Sequence, residues 1–147
     1  GNIDAFRLPH PTVAGNEFDF SFSGLKTNVI NLLHNAEQKG TEINRNDLSA
    51  SLQHTIAEIL TAKTISAAEA LGYKKVALAG GVSANSGVRA ALSEACADRG
   101  FEFYMPEKKL CGDNGAMIAC QGSYNFLAGI TADESLNAIA TLSMEDI

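Results

Sequence analysis

The run Val76-Ala77-Leu78-Ala79, stopped by Gly80-Gly81, is the feature that most narrows what this chain can fold into. Four consecutive apolar residues bounded by turn signals read as a strand buried on both faces, and such strands belong to parallel sheets covered by helices. The residues downstream fit such a sheet. Val88, Leu92, Ala95 and Cys96 recur at helical spacing up to Gly100, and Phe101-Glu102-Phe103-Tyr104 reads as a second short strand ended by Pro106. A small-residue helix then runs from about Asp113 to Leu127, with Gly129 beyond it. A strand–helix–strand–helix order predicts an α/β fold with a right-handed crossover.

Upstream, the pattern is mainly helical. Residues 1–16 hold Pro9, Pro11 and Gly15 among small polar residues and read as a linker or surface segment. Phe18, Phe20 and Phe22 alternate with Asp19 and Ser21, which predicts a short half-buried strand. Ser23 is placed to cap the next helix, whose face carries Leu25, Val29, Leu32, Leu33 and Ala36 before Gly40 stops it. Asn44 or Asn46 begins a long amphipathic helix near 46–71, roughly seven turns at the usual pitch, with Asp47 complementing its dipole and Gly72 beyond its end. Residues 130–147 form a polar tail with room for a short helix near 133–140.

Composition excludes several classes. Apolar residues make up 46% of the 147 and charged residues 19%, enough for a packed core. No apolar run approaches the roughly 18 residues of a membrane span, no N-terminal segment has the pattern of a signal peptide, and no membrane partner is expected. Cys96, Cys111 and Cys120 form no C-x-x-C pair, which argues against a disulfide framework or zinc knuckle and suits a reducing, cytoplasmic setting. His10, His34 and His54 make no zinc-protease pair, and G-x-S-x-G is absent. The net charge of −6 does not advertise a nucleic-acid surface, so any RNA substrate would find its main electrostatic footprint elsewhere.

Three segments can carry chemistry. In Ala79-Gly80-Gly81-Val82-Ser83-Ala84-Asn85 two glycines clear side chains from a strand-to-helix turn, so a ligand can approach the backbone and the helix N-terminus behind it. Asn85 adds an amide able to donate and accept; the plainer reading makes Ser83 or Asn85 a helix cap. In Cys111-Gly112-Asp113-Asn114-Gly115-Ala116-Met117, Asp113 is either a cap or one carboxylate ligand of a metal. In Phe20-Ser21-Phe22-Ser23-Gly24-Leu25-Lys26-Thr27, Lys26 can reach an anion or simply lie in solvent.

Taken in this order and at these separations, the three segments resemble the TsaD family, formerly called O-sialoglycoprotein endopeptidases, over about Phe18 to Gly129. The resemblance implies the C-terminal half of an ASKHA fold (the actin, sugar-kinase and heat-shock-protein superfamily), a mixed sheet with flanking helices, here spanning 17–129. It implies transfer of a threonylcarbamoyl group from threonylcarbamoyl-adenylate to N6 of adenosine 37 in tRNAs that read ANN codons. Asn85 would contact the nucleotide part of that substrate, with Gly80 and Gly81 beside it. Asp113 would bind a divalent metal, usually iron, and TsaB and TsaE would be partner subunits. Ser23 and Lys26 lie in the family motif without an assigned role. The family's paired histidine ligands have no counterpart here, so the chain is expected to be inactive by itself. Two other readings remain: an ASKHA small-molecule kinase, which leaves the Phe20–Thr27 block unexplained, and a TsaB-like scaffold, which has no need of Asp113.

Overall fold

The computed structural model describes residues 1–15 and 17–141. Its architecture there is α/β, with four α-helices and one small parallel sheet. The chain divides into two compact units, Gly1–Gly112 and a second that begins at Asp113.

The first unit is organised by one long helix. Asn44 has extended backbone, and its side-chain oxygen accepts the amides of Asn46 at 3.0 Å and Asp47 at 3.3 Å, which satisfies two of the donors a helix start leaves unpaired. Helix α2 then runs Arg45–Leu71 and ends on Gly72 at φ 75°, a left-handed conformation that glycine adopts without cost. Buried Leu48, Ala57, Ile59, Ile65 and Ala68 mark its inner side. Helix α1, Ser23–Lys39, closes on Gly40 in the same way. Its Leu25 packs with Ile59 and with Leu8, so the N-terminal segment contributes to the core. That segment is also pinned by buried Ser51, whose hydroxyl donates to the Asn2 carbonyl and accepts the Phe6 amide.

Strands β1, Lys75–Ala77, and β2, Glu102–Tyr104, pair in parallel with Val76 opposite Phe103. Helix α3, Ser86–Asp98, connects them. Val76 packs with Ile65 and Ala68 of α2, Cys96 of α3 and Phe101; Val88 and Leu92 of α3 pack on Ala57 of α2. The expected mixed sheet and doubly buried strand are corrected by this arrangement. The sheet among the described residues has two strands, both parallel, and Lys75 and Ala77 are exposed while Val76 is buried. The helices that pack on β1 bury Val76 alone of its three residues.

Three further expectations need correction. Phe18–Phe22 forms no strand: among the described residues its ladder contact is one antiparallel bridge from Phe20 to Thr12, and Phe20 is 46% exposed. Alternation supplies a face, but a strand needs a backbone neighbour along its length. Ser23 is the first helical residue and not the cap of α1; its amide is instead accepted by the Ser21 hydroxyl at 3.3 Å. No helix forms at 133–140, because the Asp133 carboxylate takes the Ser135 amide and hydroxyl into a local turn that competes with helical bonding. Residues 142–147 of the expected tail lie outside the described residues.

In the second unit, α4 runs Gly115–Leu127 from an N-cap at Asn114, whose side chain accepts the Met117 amide at 3.0 Å. No helix among the described residues is long and apolar enough to cross a membrane.

Candidate functional site

After β1 the chain passes through Leu78, whose amide donates to the Tyr104 carbonyl at 2.9 Å, and reaches Gly80. Gly80 has φ 84°, a conformation that side-chain-bearing residues rarely adopt, and it turns the chain out of the sheet. A short 3-10 turn, Gly81–Ala84, comes next, held by the Ser83 amide on the Gly80 carbonyl and the Asn85 amide on the Val82 carbonyl. A Cβ added at Gly80 or Gly81 would meet no atom of the described residues within 4 Å, its chain neighbours apart. The space beside the turn is therefore open, as close approach by a ligand requires.

Asn85 realises the plainer reading and leaves room for the functional one. Its side-chain oxygen accepts the amides of Gly87 at 2.9 Å and Val88 at 3.1 Å and so caps α3. Because both partners are donors, the oxygen must face the helix, which fixes the amide's orientation. The two N–H donors of its Nδ2 find no acceptor among the described residues. Asn85 can therefore offer hydrogen bonds to a ligand's acceptor atoms, such as a ribose oxygen or a ring nitrogen, but its own acceptor is committed to the helix. Ser83, the other candidate cap, is fully buried, and its hydroxyl has no partner among the described residues.

Sequence reasoning passed over Arg89. Its guanidinium donates to the Ser83 carbonyl at 2.9 Å and the Pro106 carbonyl at 2.7 Å, and its Nη1 lies 3.6 Å from the Cys111 sulfur. The signal that could have found it is a cation in the first turns of a helix, where the dipole disfavours positive charge.

Asp113 belongs to the second unit and is exposed. It does not cap α4, a task taken by its neighbour Asn114, so its carboxylate is left without a structural duty among the described residues. Those residues contain no group of three His, Cys, Asp or Glu side chains placed to hold a metal. The donors among the described residues do not by themselves fit a metal centre. Ser23 and Lys26 lie exposed in the first turn of α1. Asn85, Gly80 and Gly81 are thus brought together by one turn, while Asp113 stands in a separate unit.

Comparison with known proteins decides the family. The model for "TsaD: tRNA N6-adenosine threonylcarbamoyltransferase" matches residues 1–120. The chain belongs to the TsaD family. It is 44% identical over 142 residues to the tRNA N6-adenosine threonylcarbamoyltransferase of Staphylococcus saprophyticus, covering 97% of this chain and 42% of that relative. The enzymes of the same name from Clostridioides difficile and Moorella thermoacetica are 42% and 45% identical, each over 98% of this chain, and it covers 43% and 42% of their lengths. The chain thus spans less than half the length of the curated TsaD relatives it matches. All three motif segments fall within the matched residues.

Proposed function

We propose that this chain supplies the nucleotide-binding turn of a tRNA N6-adenosine threonylcarbamoyltransferase, working as part of a longer protein. The observation that carries the reading is the Gly80–Asn85 turn: an open, left-handed glycine bend followed by an amide whose acceptor is locked to α3 and whose donors are left for a ligand. The ligand is threonylcarbamoyl-adenylate, and the acceptor of the threonylcarbamoyl group is N6 of adenosine 37 in tRNAs reading ANN codons. A preset turn contributes by holding the adenylate where the adenine amine can reach it, which is catalysis by positioning.

In this reading the segment is the C-terminal half of an ASKHA fold. Asp113 contributes one oxygen ligand to a divalent metal, iron by family resemblance, whose remaining ligands lie outside this chain. TsaB and TsaE are the partner subunits, and action on tRNA places the activity in the cytoplasm. The acidic chain, with its net charge of −6, leaves most of the phosphate contacts to surfaces beyond it. Alone, the 147 residues do not perform transfer.

The test uses the longer protein carrying this chain, with TsaB, TsaE, threonylcarbamoyl-adenylate and tRNA, and measures modified adenosine by mass spectrometry of the digested tRNA. Asn85→Ser keeps a good cap for α3 and removes the amide donors. It is expected to raise KM for the adenylate roughly tenfold, the loss typical of one hydrogen bond to a charged or well-placed group. Asp113→Ala is expected to abolish transfer. An unmoved KM in Asn85→Ser, or no modified adenosine from the unaltered protein, would refute the reading.

A further inference from the structure

Arg89 is the fourth residue of α3, and it stands where a positive charge is unfavourable. Among the described residues no carboxylate pairs with it. All its side-chain bonds go to the carbonyls of Ser83 and Pro106 and to the thiol of buried Cys111, groups on two loops that are distant in sequence. Its own backbone amide donates to the Asn85 carbonyl at 3.1 Å. That main-chain bond is the ordinary first bond of α3; what is particular to Arg89 is the side-chain grip on Ser83, at the turn's exit.

The turn has reason to need such a grip. It contains a left-handed glycine, a 3-10 segment with its poorer hydrogen bonding, and the buried, unpartnered hydroxyl of Ser83. Against these the turn sets only its own two backbone bonds, from the Ser83 and Asn85 amides. A planar guanidinium that reaches two carbonyls at once fixes their separation, which a lysine ammonium on a flexible stem does not.

We propose that Arg89 is a positioning residue for the adenylate-binding turn. Its fork ties the Ser83 carbonyl to the Pro106 carbonyl and so holds Gly80–Asn85 in the shape that presents the Asn85 amide donors. The inference rests on the reading of that turn as the adenylate site and assigns its geometry to a side chain that itself touches no substrate.

The experiment compares Arg89→Lys, Arg89→Ala and Ile59→Ala in the longer protein with its partner subunits. Ile59 lies in the Leu8–Leu25 cluster and serves as a destabilised control with its core, and not its turn, disturbed. Both Arg89 variants are expected to raise KM for threonylcarbamoyl-adenylate roughly tenfold while kcat changes by less than about threefold. Ile59→Ala is expected to lower the melting temperature and leave KM unmoved. If lysine restores the unaltered KM, charge alone suffices and the positioning role is overturned. It is overturned equally if both Arg89 variants keep KM within about twofold, or if Ile59→Ala raises KM as much as they do. Absence of transfer in the unaltered protein would instead sink the functional reading, whereas transfer with an unmoved KM in the Arg89 variants sinks this inference alone.

Discussion

Helices α3 and α4 are each 13 residues long, and each begins on an asparagine whose side chain accepts backbone amides. There the likeness ends. α3 buries Val88, Leu92 and Cys96 against α2 and the sheet, whereas α4, the more apolar of the two, buries no residue. Ile118, Tyr124, Phe126 and Leu127 of α4 are all more than 60% exposed. The contrast separates two sources of helix stability. Among the described residues α4 shows its cap and its internal ladder, local terms that leave a helix of this length marginal in water, while α3 adds a buried face. It also separates the two candidate site segments: the Gly80–Asn85 turn leads into a helix with a buried face, and Asp113 precedes one that buries none of its residues.

The strongest way to break this comparison is to truncate one large apolar side chain in each helix. Leu92→Ala is expected to destabilise the first unit by about 2–5 kcal/mol, because the cavity adds to the lost transfer energy. Ile118→Ala, at a residue 69% exposed, is expected to stay within about 0.5 kcal/mol. Denaturant titration of the two variants checks both values, and equal losses would show that α4 is packed after all.

A smaller effect tests the caps. Asn85→Ala and Asn114→Ala each remove a side-chain acceptor from a helix start, a loss of about 1 kcal/mol. In α3 that loss is expected in the global unfolding free energy, since the helix is part of the core. In α4 it is expected only as faster amide hydrogen exchange at Met117 and the residues after it, with the global value unchanged. A global loss from Asn114→Ala would couple the two units energetically and erase the distinction.

What the sequence reveals divides in the same way, between local and distant causes. The ends of α2 are legible because Asn44, Asp47 and Gly72 act within a turn of themselves, and Gly40 and Gly100 act likewise. The parallel pairing is implied by an apolar run, a helix and a second short strand in succession. The family, too, is written in the three motif segments, and the match over residues 1–120 bears it out. The failures lie where a partner decides. Phe18, Phe20 and Phe22 alternate well enough, but among the described residues no strand lies along them and the ladder stops at one bridge. Asp113 and Asn114 are both good caps, and sequence does not say which of two adjacent residues adopts the extended backbone that capping needs; Asn114 does. The sequence marks Arg89 only as a cation in the first turns of a helix; its partners are two main-chain carbonyls and a thiol, and main-chain atoms carry no sequence signature.

The smallest expected effect is a matter of pH and compares Cys96 of α3 with Cys120 of α4, one fully buried and one exposed. Burial pushes the Cys96 thiol above its ordinary value, because an apolar surrounding penalises the thiolate; the charge of Arg99 pulls weakly the other way. A raised folded value means that below the unfolded thiol's ordinary 9.0 both states keep the proton and the contribution to stability is complete. Above it the unfolded chain binds fewer protons than the folded one, so stability falls as pH rises toward the folded value. The unfolding free energy of the unaltered protein should therefore decline more steeply above pH 9 than that of Cys96→Ala, whose remaining slope reports the other groups that titrate there. The same burial makes Cys96 inert toward a thiol reagent until the first unit unfolds, whereas Cys120 should react at once. Parallel slopes in the two proteins, or labelling of Cys96 as fast as that of Cys120, would mean that α3 opens as readily as α4 and that its packing does not distinguish it.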